Sequence, residues 1–161
     1  LYNNLAVFQV KQGKIREAVE AFQKSIKIKP DYAEAYKNLG LLYLQNGEHR
    51  LAVPLLQRSI DLGYPDANIK NDLAWVYATS SDLQIRDGGK ALELARGICE
   101  ETEYKNPAFL DSLAAAYAET GDYARAEEYQ RKAMELLVHP EEGFSLRLNA
   151  YRSKRPWRET R

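Results

Sequence analysis

Cysteine is almost missing from this chain: Cys99 stands alone among 161 residues, which excludes an internal disulfide. Its place on the inner face of a helical pattern marks it as a small core residue rather than a reactive thiol. Histidine is nearly as scarce. His49 and His139 lie far apart, each at a helix end, so neither a histidine metal cluster nor a catalytic triad is expected. Charge of one sign is also lacking: 23 Lys and Arg against 23 Asp and Glu leave no global field for nucleic acid or an acidic membrane. No run approaches the roughly 18 apolar residues of a transmembrane helix, and no signal peptide is seen. A cytoplasmic or a periplasmic location is equally compatible. The chain opens on Leu1, without Met and already inside a helix, which suggests a piece of a longer protein. Gly89-Lys90 lacks the earlier glycine and the following Ser or Thr of a phosphate-binding loop, and no GxGxxG follows a strand. Glu100 with Glu101, and Glu127 with Glu128, point to different sides of a helix and read as solvated faces. The expectation is a chain with no cofactor and no metal, and not an enzyme.

What is present is an internal repeat. Leu5, Leu39, Leu73 and Leu113 stand in equivalent places, the first two intervals being 34 residues each. Each unit reads as two helices. Leu39, Leu42 and Tyr43 fall at three- and four-residue spacing, and Gly47 then stops the helix. The second helix carries Ala52, Leu56 and Ile60, matched by Ala18, Phe22 and Ile26 before it and by Ala126, Gln130 and Met134 in the last unit. The small residue of each first helix (Ala6, Gly40, Ala74, Ala114) lets its partner helix approach. Because Ala fills that place in three units, Gly40→Ala is expected to be mild, and Tyr43→Ala severe. Asp31 with Glu34 suggests a capping box, and Asn106 before Pro107 an N-cap.

These residues resemble the tetratricopeptide repeat, whose signature is an aromatic, then Leu-Gly, Tyr, Ala, an aromatic, Ala and Pro. Tyr36, Leu39, Gly40, Tyr43 and Ala52 fit it, as do Tyr2, Leu5, Ala18, Phe22 and Pro30; the third unit keeps Leu73, Tyr77 and Ala91, the fourth Leu113, Tyr117, Gly121, Ala126 and Ala133. Gln9, Lys70 and Gln130 depart from it. The stretch from LAWVYAT to LDSLAAAYAETGDYARAE resembles a variant seen in bacterial members. The resemblance implies an all-α, right-handed superhelical solenoid that binds proteins or peptides without catalysis. Four repeats are expected at about 1-32, 33-66, 67-106 and 107-138, then a capping helix and basic tail over 139-161.

Three features break the pattern. Between Tyr77 and Ala91 the third unit holds five more residues than the second holds between Tyr43 and Ala52; a loop with a helical turn near Leu83 is expected, packing over helix ends or binding a partner. Pro54 falls inside a second helix, at a cost of about 3 kcal/mol unless the helix starts late or kinks. Phe144, Leu148 and Tyr151 make one stripe suited to cover the last repeat. The tail SKRPWRETR is basic and holds Trp157. Folding back onto the cap is favoured over binding RNA or an acidic partner, since the preceding 140 residues carry no continuing basic track.

The resemblance implies a concave groove lined by first helices. Residues two before and two after each repeat leucine point toward it: Asn3 and Val7, Lys37 and Leu41, Asn71 and Trp75, Asp111 and Ala115, with Val10 and Leu44 one turn on and Asn38 beside Lys37. Trp75 is either a peptide anchor or packed on the next first helix, and Asp111 a rim charge. The Lys and Asn clamp with which some members hold an acidic peptide C-terminus is not matched: Asn3, Val7, Asn38, Asn68 and Asp72 in one register, and Lys37, Leu41, Asp72, Ala108 and Ser112 in the next, satisfy one position each. A protein or peptide partner is expected, and a chaperone carboxylate ligand is not. A recruitment module of a larger enzyme, such as a glycosyltransferase, and nucleic-acid binding through the basic tail are the competing readings.

Overall fold

The computed structural model describes residues 1–64 and 66–159. Among the described residues there are nine helices and no strand: α1 (Tyr2–Lys11), α2 (Ile15–Ile28), α3 (Ala33–Gln45), α4 (His49–Asp61), α5 (Ala67–Thr79), α6 (Gly88–Glu101), α7 (Pro107–Glu119), α8 (Tyr123–Glu135) and α9 (Glu142–Arg152). The chain divides into two compact units, Leu1–Ile69 and Lys70–Arg161, with the division falling inside α5.

In the first unit α1 to α4 form two helical hairpins. Ala6, Ala18, Ala21, Phe22, Leu39 and Leu42 make its core, with Val10, Ile26, Tyr43 and Leu55 packed around it. The hairpin turn after α3 needs a left-handed residue, and Gly47 takes φ +74° there. Leu39 is buried, yet the equivalent Leu5 is 45% exposed. The difference is local: α2 covers Leu39, and no described helix stands in that place for Leu5. Tyr43 is only half-buried, so the sequence overstated the cost of removing it. Gly40 was misjudged the other way. A Cβ there would stand 2.7 Å from Leu56 Cδ2 and 2.8 Å from its Cγ.

The expected Asp31 capping box does not form. Tyr32 is the N-cap of α3 and makes no side-chain cap bond, while its hydroxyl donates to Glu34 Oε2 at 2.7 Å, taking the glutamate away from the helix start. Pro54 stays within α4, which runs through it from His49 to Asp61, so the missing N–H is accommodated inside the helix. Its ring lines an open apolar cleft of about 440 Å³ with Tyr36, Leu39, Tyr43, Leu51 and Leu55.

The second unit carries the larger core, including Leu73, Ile98, Leu110 and Leu113, all fully buried. Asn106 caps α7 as expected, accepting from the backbone N–H of Ala108 at 2.9 Å and of Phe109 at 3.3 Å. The inserted segment turns at residues 82–86, where Asp82 O accepts from Ile85 and Arg86 N–H, and Asp87 caps α6 by accepting from Lys90 N–H. α9 buries Phe144, Leu148 and Tyr151 against α8. Cys99 is fully buried, and loss of solvation pushes its thiol up to about 12, which makes it a core residue.

Candidate functional site

The first-helix residues singled out from the sequence divide between the two units. In the first unit Asn3 and Asn38 pair: Asn38 Nδ2 donates to Asn3 Oδ1 at 3.0 Å, and Asn3 Nδ2 lies 3.4 Å from the Tyr32 hydroxyl. Tyr32 in turn holds Glu34, and that hydrogen bond, ahead of burial, raises its pKa. Asn3 is 2% exposed, so it positions Asn38 rather than meeting a ligand itself. Lys37 is not an open cation. Its Nζ donates to the Tyr64 hydroxyl at 3.0 Å and lies 4.8 Å from the centre of that ring. Val7, Val10, Leu41 and Leu44 are half-buried; Val7 and Val10 also pack against the core of the unit.

In the second unit Trp75 and Asp111 are both engaged. Asp111 is 7% exposed and accepts from Arg147 Nε at 2.7 Å. It is therefore a buried ion pair, not a rim charge. Loss of solvation pushes the Asp111 carboxyl above its usual range, and Arg147 offsets only part of this. α9 is the reason: it lies over α8 and carries Arg147 in to meet the carboxylate. The Arg147 guanidinium also lies 5.3 Å from the Trp75 ring, 4.8 Å from Phe144 and 5.9 Å from Trp157, a cation enclosed by aromatic faces. Ala115 is buried and offers nothing to a ligand. Asn71 is half-buried, and its Oδ1 has no hydrogen-bond partner among the described residues.

The tail beyond α9 turns back as expected and goes further than the cap. Trp75 Nε1 donates to Glu159 Oε1 at 2.5 Å. The Glu159 N–H donates to Thr79 O at 3.2 Å, and Arg158 Nη1 donates to Ala78 O at 3.3 Å. Arg158 Nη2 lies 2.5 Å from Glu119 Oε2, whose other oxygen is 2.9 Å from Arg86 Nε. Glu119 thus joins the inserted segment, α7 and the tail. Arg147, Glu119, Arg86 and Arg158 were not singled out from the sequence. Arg147 had a signal, three residues after Phe144 and four before Tyr151 on the same helix face; the others had none.

Gln130, a departure from the repeat signature, is fully buried. Its Nε2 donates to Phe144 O at 3.3 Å, so the polar side chain ties α8 to the first turn of α9 with a second bond on a carbonyl that the helix itself already uses. Among the described residues no group of three or more His, Cys, Asp or Glu could hold a metal, and no helix is long and apolar enough to cross a membrane.

Models of known families match three segments: one described as TPR repeat at residues 9–47, and two described as tetratricopeptide repeat at residues 35–69 and 108–138. Solved structures of similar fold include MamA AMB-1, with TM-score 0.73 and 23% identity over 90% of this chain and 76% of that one. Another is MamA 41-end from Desulfovibrio magneticus RS-1, with TM-score 0.77 and 16% identity over 95% of this chain and 82% of that one. At these identities the likeness concerns the fold. No curated protein matches the chain.

Proposed function

The chain belongs to the tetratricopeptide-repeat family of protein-interaction scaffolds, and we propose that it binds extended protein or peptide segments on the first-helix faces of each of its units. One observation carries this reading. Trp75 keeps its indole at the edge of the core, half-buried, with the N–H given to a carboxylate of a non-helical segment. A large aromatic with a polar edge in that position is the kind of group on which binding energy concentrates. Val7, Val10, Leu41 and Leu44 supply apolar contacts in the first unit, with Lys37, Asn38 and, behind it, Asn3 as its polar members. Asn71 and Trp75 serve the second unit, where Asp111 acts by holding Arg147 beside the indole.

Peptides selected from a displayed library against the full chain test this. Trp75→Ala is expected to weaken the peptides that dock on the second unit by about thirtyfold, the equivalent of about 2 kcal/mol. Leu41→Ala should weaken severalfold those that dock on the first unit, and Leu83→Ala, on the inserted turn, should leave all of them unchanged. If Trp75→Ala and Leu41→Ala both stay folded and bind every selected peptide as wild type does, the first-helix faces are not the binding surface.

A further inference from the structure

The end of α5 differs from the ends of the other first helices. After α1, α3 and α7 a glycine N–H closes the turn: Gly13 donates to Val10 O, Gly47 to Leu44 O and Gly121 to Ala118 O. The equivalent carbonyl of α5 is that of Ala78, and the inserted residues have removed the glycine that would have satisfied it. The last carbonyls of a helix need donors and favour a cation. Val76 O receives Ser80 N–H and Tyr77 O receives Asp87 N–H. Ala78 O receives the Arg158 guanidinium and Thr79 O the Glu159 N–H, both from the tail. Around these two carbonyls stand Glu119, 15% exposed at its side chain, and the Trp75 indole N–H. The four groups form a receptor for one pattern: an extended backbone N–H, a guanidinium before it and a carboxylate on the same residue as the N–H.

We propose that the α5 end, Glu119 and Trp75 form a docking site for an extended arginine-acid segment of a partner protein, and that Trp157–Glu159 is a tethered occupant which that partner displaces. This rests on the reading of the first-helix faces as binding surfaces. The partner's guanidinium takes the place of Arg158 between Ala78 O and Glu119, and its next residue places a carboxylate on the Trp75 N–H. An aromatic before the arginine meets Arg147, as Trp157 does. The contacts of the tail are few and largely polar, so its intrinsic affinity is weak and its occupancy comes from tethering. A short tether holds its end at an effective concentration on the order of 1 mM, so a segment with Kd near 100 µM in solution is masked about tenfold by the resident tail.

The probe is a fluorescein-labelled peptide of residues 153–159, SKRPWRE, measured by anisotropy against the full chain. Its partner in the experiment is the full chain carrying Arg158→Ala with Glu159→Ala, which loosens the resident tail; circular dichroism checks the fold of each. The double variant is expected to bind the peptide about tenfold more tightly than wild type. Adding Glu119→Gln should remove most of that binding, as should placing both alanines in the peptide. Equal affinity of wild type and double variant would overturn the tethered occupancy while leaving the face a binder. Failure of both to bind the peptide, with library-selected peptides still bound in a Trp75-dependent way, would overturn the arginine-acid specificity and spare the first-helix reading. Failure with both kinds of peptide would sink the two together.

Discussion

Gly40→Ala isolates what a repeat signature hides. The new Cβ would stand 2.7 Å from Leu56 Cδ2, 2.8 Å from its Cγ and 3.2 Å from its backbone nitrogen, whereas carbon pairs rest at about 3.5–4.0 Å. Leu56 is 1% exposed, so its side chain has no open space to enter, and the close backbone nitrogen means that α4 itself must back away from α3. Overpacking of this kind costs about 1–3 kcal/mol, and replacing a mid-helix glycine returns up to about 1 kcal/mol. The net expectation is a loss of about 1–2 kcal/mol, read as a lower urea midpoint and a fall in Tm of about 2–4 °C per kcal/mol for a chain of this size. Leu56→Ala provides the control. Alone it should cost about 2–5 kcal/mol through the cavity it leaves, and in that background Gly40→Ala should become neutral or stabilising, because the obstructing atoms are gone. That pairing reproduces the third repeat, where Ala74 and Ala95 hold the equivalent places. A Gly40→Ala single variant with a raised urea midpoint would refute the reasoning.

Asp111 has a folded pKa raised by burial, so its contribution to stability is fully present below its unfolded value, about 3.9, and is lost as pH rises through the folded value. Wild type should therefore lose stability relative to Asp111→Asn between pH 4 and pH 7 in urea melts, and a difference that grows in wild type's favour with pH would contradict the burial argument. Tyr151 is fully buried, its hydroxyl has no hydrogen-bond partner among the described residues, and burial raises its pKa. Tyr151→Phe should be neutral or stabilising by up to about 1 kcal/mol, and a clear drop in Tm would show that the hydroxyl is satisfied. Cys99, with its thiol at about 12, should resist Ellman's reagent at pH 8 in the native protein and react on unfolding; stoichiometric labelling of the folded chain within minutes would place the thiol at the surface.

The residues expected from their spacing to line a groove show where sequence reasoning stops. Phase along a helix located Trp75 outside the core, because a 3.6-residue period fixes which side a residue faces. The same phase placed Lys37, Asp111 and Asn3 on an open surface, and each is taken up by a partner 27 to 36 residues away along the chain: Tyr64, Arg147 and Asn38. Gln130 reads as a defect in the signature until α9 is laid over it, when its amide meets the Phe144 carbonyl.

By itself the sequence determined the repeat, the paired helices, the caps at Asn106 and Gly47, the inserted turn and the apolar stripe that α9 buries, since each of these is written within one turn or one repeat length. Only the tertiary structure decided that a Cβ on Gly40 would meet Leu56, that Asp111 is buried under Arg147, and that Arg158 and Glu159 lie on the end of α5. Trp75 and Glu159 are 84 residues apart. What joins them is a helix end left two donors short, and such a deficit is visible only when every backbone carbonyl has been given its partner.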